Sequence, residues 1–265
     1  MPASAHARCS RSSSTLNLEA SIAGRFVPEG EGEVRAAFRR SFYLSFADGR
    51  YACVGDASVG RGPLNALVDD FQLPPPGIRV TLSLARAERW VPVALPPNPL
   101  IDIGALQYAA RGRVPHEGLG GLIVGAHNSL SGHAQPALDA IDRWLVGNAL
   151  EDEAGALIGL GPGLTPSGDD YLGGVLIALH QLGRKPQAVG LWRWLEPRLK
   201  RTSPISAAHL AAAAAGEGHE ALHACLEALC SRSADWPRTL AQVASVGHVS
   251  GWDSLAGVAT VAKLA

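Results

Sequence analysis

A loop with four glycines and two prolines, Gly159-Leu-Gly-Pro-Gly-Leu-Thr-Pro-Ser-Gly-Asp-Asp170, runs directly into the apolar segment Tyr171–Leu182. Its glycines permit positive φ angles and close approach of other backbone, whereas its prolines stiffen the same turn. A rigid turn that feeds a helix N-terminus leaves backbone N–H groups free, and such a turn commonly holds a phosphate or a carboxylate. The stretch therefore predicts a helix with a functional Gly-rich loop immediately before it.

The side chains of this loop indicate the kind of ligand that suits it. No Gly-Lys-Ser/Thr follows, so the loop is not a Walker A motif, and it lacks the third glycine of a dinucleotide-binding turn. Asp169 and Asp170 in the first helical turn repel a bare anion. They favour an anion that also carries an amide, or one that arrives with Mg²⁺. No cofactor follows from the loop itself, and Mg²⁺ is the single candidate.

A purely structural interpretation explains part of the same pattern. Ser167 and Asp170 match the Ser-x-x-Asp capping box, and acidic residues stabilise a helix N-terminus. Such a device contributes only about 1 kcal/mol. It explains the two capping residues but leaves the preceding glycines and prolines without a role.

The loop has an echo near the C-terminus. Ser250-Gly-Trp-Asp-Ser-Leu-Ala-Gly-Val258 and Ser167-Gly-Asp-Asp-Tyr-Leu-Gly-Gly-Val175 both read Ser-Gly-x-Asp-x-Leu-x-Gly-Val, 83 residues apart. Two helix starts built alike and packed together would bring Asp170 and Asp253, the candidate catalytic residues, to one site. The alternative is two independent capping boxes. The candidate ligand-binding residues are Gly161, Gly163, Thr165, Ser167, Gly168, Asp169 and Ser250.

The sequence around the loop has helical periodicity from about Pro136 onward. The predicted helices are Ala-rich and closely linked, which is typical of a packed bundle. They cover Ala137–Leu150, Tyr171–Leu182, Ala188–Leu199, Ile205–Ala215, Glu220–Leu229, Trp236–Val246 and Leu255–Leu264. Residues 101–135 form a connector with one helix over Ile103–Arg111.

The N-terminal half instead has a sequence pattern typical of β-strands. Short apolar runs are separated by Gly- and Pro-rich breakers, as in a small antiparallel sheet or barrel. These runs are Phe42–Phe46, Tyr51–Val54, Ile78–Leu84 and Trp90–Leu95. The chain is therefore predicted to be α+β: a disordered tail at residues 1–15, a β-rich part at 16–135, and a helical part at 136–265.

The composition of the chain indicates which partners and which cellular compartment are expected. The chain has 265 residues and a formal net charge of -1, so no global field favours nucleic acid or an anionic membrane. No apolar run reaches the roughly 18 residues that a membrane-spanning helix needs. The four cysteines form no CxxC pair, which predicts reduced thiols, a cytoplasmic location and no structural zinc.

One further motif invites a zinc interpretation that the context does not favour. His219-Glu-Ala-Leu-His223 satisfies HExxH, the signature of zinc proteases. Gly216 and Gly218 place the motif at a helix start, where Glu220 suits the first turn. No third ligand stands out downstream, so no metal site is predicted here.

The quoted loop resembles the hallmark of the AllH family. The similarity continues through Arg201-Thr-Ser-Pro-Ile-Ser206, Ala214-Ala-Gly-Glu217 and Gly247-His-Val-Ser-Gly-Trp-Asp253, and is strong over roughly residues 155–260. The resemblance implies a role in anaerobic allantoin catabolism, as part of an oxamate carbamoyltransferase that works with partner subunits. That enzyme converts oxalurate and phosphate to oxamate and carbamoyl phosphate.

Three functions follow as hypotheses. The first is a subunit of a carbamoyltransferase-type enzyme whose matching loop binds a carboxylate, an amide or a phosphoryl group of a small substrate. The second is a non-catalytic ligand-binding or assembly subunit, since the sequence contains no obvious nucleophile or paired base. The third is a metal-dependent hydrolase that uses Asp169, Asp170 and Asp253.

Overall fold

The computed structural model describes residues 16–96, 99–231 and 234–264. The tail predicted at residues 1–15 lies outside the described residues. Within them, a curled sheet precedes a helical region, so the α+β prediction is confirmed. The eight strands of the sheet are β1 Leu16–Glu19, β2 Ile22–Gly24, β3 Gly30–Ala37, β4 Ser41–Phe46, β5 Tyr51–Gly55, β6 Asn65–Leu67, β7 Arg79–Ser83 and β8 Glu88–Trp90.

The strand order of the sheet is β1-β7-β3-β4-β5-β6-β2-β8. β1 and β2 lie toward opposite ends of this order, but only two residues of chain separate them, so the sheet must curl to bring its ends together. The sheet is mixed and not purely antiparallel as predicted, because β1–β7, β2–β8 and β5–β6 pair in parallel. The predicted run Trp90–Leu95 is also wrong as a strand, since β8 ends at Trp90.

Successive side chains of β4 point alternately into the interior of the sheet and toward its outer face. Phe42, Leu44 and Phe46 are buried in the core of the β half, whereas Ser41 and Tyr43 point the other way and are half-buried. This outer face contacts the helical half, where Tyr43 meets His209.

Eight helices form the helical region within the described residues. They are α1 Ile103–Ala110, α2 Ser129–Leu145, α3 Ser167–Gln181, α4 Lys185–Leu195, α5 Pro204–Ala214, α6 Glu220–Leu229, α7 Trp236–Ala244 and α8 Ser250–Ala262. None of the described helices has the length and apolarity to cross a bilayer.

The start of α2 and the start of the helical half both differ from the prediction. α2 begins at Ser129 because Asn128 forms a capping box with Ser131, so Pro136 lies inside the helix. The predicted connector at residues 101–135 supplies Leu106, Leu119 and Ile123 to the core of the helical half. That half therefore extends N-terminal of its predicted start at residue 136.

α3 and α8 pack against each other through the glycines of the sequence echo. A Cβ added at Gly174 would overlap the carbonyl oxygen of Ser254, and one added at Gly257 would overlap that of Tyr171. Gly174 and Gly257 are equivalent positions of the repeated pattern, as are Tyr171 and Ser254. The contact is therefore reciprocal, and it brings the N-termini of the two helices together.

Candidate functional site

The serines that open α3 and α8 do not cap their own helices. The N-cap positions are Pro166 and Val249, and neither makes a side-chain cap hydrogen bond. Each serine instead lies near the carboxyl of the opposite helix: Ser167 lowers the pKa of Asp253, and Ser250 lowers the pKa of Asp170. The interpretation as two independent capping boxes is therefore wrong, because neither serine is the N-cap of its own helix.

Asp253 is fully buried and held from one side. Its Oδ1 accepts hydrogen bonds from the backbone N–H groups of Leu119 at 2.5 Å and Gly120 at 3.1 Å. Gly118 precedes them with φ of 71°, and a Cβ there would overlap the same carboxylate oxygen, so only glycine fits. Burial raises the pKa of Asp253 to about 6, against the opposing effect of the hydrogen bonds from Ser167 and the two N–H groups.

Asp170 lies beside Asp253 in a different setting. Burial raises the pKa of Asp170 well above its usual value, and the charges of Asp253 and Asp169 raise it further. The hydroxyls of Ser250 and Thr165 act in the opposite direction. Among the described residues, Oδ2 of Asp170 and Oδ2 of Asp253 are both buried and accept no hydrogen bond. Two neighbouring carboxyls thus each keep one oxygen for a partner outside the chain.

Asp169 has a different role from the adjacent Asp170. Its Oδ1 accepts from the backbone N–H of Gly159 at 2.9 Å, and its Oδ2 accepts from Ser206 at 2.7 Å and from Thr202. Gly168 is also structural, since a Cβ there would overlap the carbonyl oxygen of Leu157. Both were candidate ligand-binding residues, but their protein contacts account for them.

The exposed turn of the Gly-rich loop keeps its N–H groups available. Gly161 and Gly163 have φ angles of 111° and 92°, which other residues adopt only with strain. Within the described chain, the backbone N–H groups of Gly161, Gly163, Leu164 and Thr165 donate to no protein acceptor. The Thr165 and Ser250 hydroxyls lie 3.1 Å apart and join this turn to the start of α8.

Tyr43, which the sequence analysis missed, lies near Asp170 and contacts a second missed residue, His209. The Tyr43 hydroxyl, on the outer face of β4, lies 2.9 Å from Nε2 of His209 on α5. Burial raises the pKa of Tyr43, and the charges of Cys53 and Asp170 raise it further. Burial, aided by the charge of His219, lowers the pKa of His209 to about 4, so its imidazole is neutral near pH 7.

The HExxH motif does not have zinc-site geometry. His219 lies outside α6 as its N-cap: its Nδ1 accepts from the N–H of Ala221, and its Nε2 lies 2.9 Å from the carbonyl oxygen of Val59. Nε2 of His223 accepts from the N–H of Gly218 at 3.0 Å. In the part of the chain that the structure describes, no three His, Cys, Asp or Glu side chains form a group that could hold a metal ion.

Two surface grooves lie away from these residues. One, of about 600 Å³, is lined by Tyr108, Arg111 and Trp236, and the other, of about 370 Å³, by Leu95 and His180. The carboxyl pair lines neither groove.

Comparison with known proteins adds one match. The family model described as oxamate carbamoyltransferase subunit AllH matches residues 157–262, which confirms the resemblance over that range. The match includes the Gly-rich loop, α3, α5 and α8, and leaves out the β half and the Leu119–Gly120 segment. No curated protein and no solved structure matches the chain.

Proposed function

We propose that the chain is a subunit of a carbamoyltransferase-type enzyme that binds a small carboxylate or amide of the oxamate and oxalurate class. The observation that carries the proposal is the Asp170–Asp253 pair at the facing starts of α3 and α8. Among the described residues, each carboxyl has a buried oxygen without a donor. The match to a family described as an oxamate carbamoyltransferase subunit supports the same ligand class.

The unequal surroundings of the two carboxyls suit an amide-bearing anion. Asp253 accepts two backbone N–H bonds, which favour its charged form, so it is the better acceptor for an amide N–H of the ligand. Burial and the charges of Asp253 and Asp169 raise the pKa of Asp170, which favours its protonated form as a donor to the ligand. The free N–H groups of the loop, at Gly161 and Gly163 among others, are donors for a carboxylate or phosphate oxygen.

This division of roles fits phosphorolysis of oxalurate. A phosphate oxygen bonds to the carbamoyl carbon, the bond from that carbon to the oxamate nitrogen breaks, and one proton passes from phosphate to this nitrogen. Asp170 gives its proton to the leaving nitrogen and regains one from the phosphate. Asp253 holds the carbamoyl amide during the transfer.

A second candidate is a binding subunit without chemistry of its own. Neither lysine nor arginine is among the described groups that shift the pKa of Asp170 or Asp253. A site that transfers a group to phosphate usually provides such a cation. In this alternative a partner chain supplies the cation and the chemistry, and the present chain holds the substrate. A hydrolase with three aspartates around a metal is not favoured, since both oxygens of Asp169 are already bonded.

A ligand screen on the purified full chain tests the proposal. Oxamate, oxalurate, carbamoyl phosphate and phosphate are added with and without Mg²⁺, and the melting temperature is followed. Oxamate or oxalurate at 100 times its Kd should stabilise the chain by about 2.7 kcal/mol. Asp170→Asn and Asp253→Asn should abolish that gain, whereas Asp70→Asn, at an exposed site in the β half, should keep it.

The outcomes separate the hypotheses. The ligand class is wrong if none of the four compounds stabilises the wild-type chain. If Asp170→Asn binds ligand normally and supports normal turnover with the partner chains, the acid role of Asp170 is wrong. Ligand-induced stabilisation combined with turnover that survives Asp170→Asn would favour the binding subunit.

A further inference from the structure

The β half contributes one polar side chain to the surroundings of the carboxyl pair. Tyr43 points outward from β4, where its neighbours Phe42 and Leu44 point into the core. Its hydroxyl lies 2.9 Å from Nε2 of His209, across 166 residues of sequence. The two rings are also in edge-to-face contact, with centroids 6.1 Å apart. This contact joins the β half to α5 at one defined point.

α5 is in turn fastened to the Gly-rich loop and to the start of α3. Ser203, its N-cap, donates its hydroxyl to the carbonyl oxygen of Leu164 in the loop. Ser206, one turn later, donates to Asp169 at 2.7 Å. His209 follows Ser206 by three residues and so lies on the same face of α5. The charge of Asp170 raises the pKa of Tyr43, so the Tyr43 hydroxyl lies within electrostatic reach of the carboxyl pair at the start of α3.

The hydrogen-bonding capacity of this pair leaves one donor for a ligand. A neutral imidazole has one N–H and one lone pair. When Nε2 carries the proton, His209 donates to the Tyr43 oxygen, and the phenolic O–H has only the Cys53 thiol, a weak acceptor, as a partner in the protein. Burial keeps this phenol neutral, because it raises the pKa of Tyr43. A neutral phenol is a donor for a carbonyl or carboxylate oxygen.

We infer that Tyr43 is a ligand-binding residue of the carboxyl-pair site, oriented by His209, and that it donates a hydrogen bond to a carbonyl or carboxylate oxygen of the bound ligand. The site is then built by both halves of the chain, with the β half as the wall opposite the Gly-rich loop. The ligand class rests on the proposed function. The placement of Tyr43 beside Asp170 does not.

The placement is tested first without ligand. The full chain is labelled with ¹³Cζ-tyrosine, which gives four tyrosine signals, and the signal lost in Tyr43→Phe identifies Tyr43. This signal should shift as Asp170 ionises with rising pH, and the shift should vanish in Asp170→Asn. Tyr51, half-buried on the neighbouring strand β5, is the internal control and should not respond. A Tyr43 signal that ignores Asp170 overturns the inference.

The binding role is tested on the same variants with oxamate and oxalurate. Tyr43→Phe should weaken binding about tenfold, equivalent to about 1.4 kcal/mol, while Tyr51→Phe leaves the affinity unchanged. His209→Gln should give an intermediate loss, since the phenol remains but loses its orientation. Unchanged affinity in Tyr43→Phe overturns the inference. If the wild-type chain binds neither compound, the proposed function fails, and the inference is then judged by the ligand-free titration alone.

Discussion

Replacing Asp253 by asparagine should stabilise the protein at alkaline pH and not at acidic pH. Asp253 is 0% exposed, and burial is the main reason why its pKa is raised from 3.8 to about 6. A carboxyl whose pKa is raised in the folded state holds its proton more tightly there than in the unfolded chain. Its contribution to stability is therefore full below pH 3.8 and is lost as the pH rises through about 6.

The size of this effect follows from the shift. One pKa unit is worth 1.36 kcal/mol, so a shift of about two units costs the fold about 3 kcal/mol above pH 6. An introduced amide resembles the protonated carboxyl and still accepts from Leu119 and Gly120 through its oxygen. Asp253→Asn should thus raise the unfolding free energy by about 3 kcal/mol at pH 8 and change it little at pH 4. For a chain of this length that is about 6–12 °C in Tm.

Thermal and urea denaturation at pH 4 and pH 8 measure the difference between the variant and the wild type. Histidine titration contributes equally to both proteins, so it cancels in this difference. Asp70→Asn is the matched control, because Asp70 is exposed and has no hydrogen-bond or ion-pair partner among the described residues. If Asp253→Asn is equally destabilising at both pH values, the ionised carboxylate is a stabilising group and the reasoning is refuted. A more stable variant that no longer binds ligand would indicate stability given up for function.

Three further predictions concern the helix packing and the buried polar groups. Gly174→Ala and Gly257→Ala should each lower the unfolding free energy in urea by about 1–3 kcal/mol through overpacking; Gly190→Ala, in open space on α4, should raise it by up to about 1 kcal/mol. Asp169→Asn should cost about 1–3 kcal/mol at pH 7 in the same assay, because one of its buried donors loses its acceptor. Burial lowers the pKa of His223 to about 4, so the contribution of His223 to the unfolding free energy should fall by up to about 3 kcal/mol from pH 6.5 to pH 4. Denaturation followed by circular dichroism should record a less unfavourable change over this range in His223→Gln than in the wild type.

Local periodicity was sufficient for most helices and for part of the sheet. β4, β5 and β7 were predicted because apolar residues recur in short runs between clear breakers. β3 was missed because Glu31, Glu33 and Arg35 alternate with two glycines and one valine, so the strand contains no apolar run. The parallel pairings of the sheet join strands distant in sequence, so no local pattern could indicate them.

The candidate site likewise contains some features that the sequence predicted and others that it did not. The repeated pattern predicted that two helix starts would be built alike, and the structure brings Asp170 and Asp253 together. A capping box and a cross-helix serine–aspartate pair have identical sequence signatures, so only the tertiary contact distinguishes them. Tyr43 and His209 were missed because each is a single polar residue in an unremarkable element. The cluster of glycines at Gly118, Gly120 and Gly121 in the connector was a weak signal that this segment approaches another part of the chain closely.

Two equal helices in unequal surroundings explain how one repeated pattern could supply two chemical roles. The echo gives each helix the same serine, aspartate and glycine, and the reciprocal packing of Gly174 and Gly257 makes the pair locally symmetric. The rest of the chain breaks this symmetry. Asp253 accepts from backbone N–H groups, whereas Asp170 lies near hydroxyls and the negative charges of Asp253 and Asp169. Surroundings that separate the proton affinities of two adjacent carboxyls support the roles that the proposed function gives them, Asp170 as the acid and Asp253 as the acceptor.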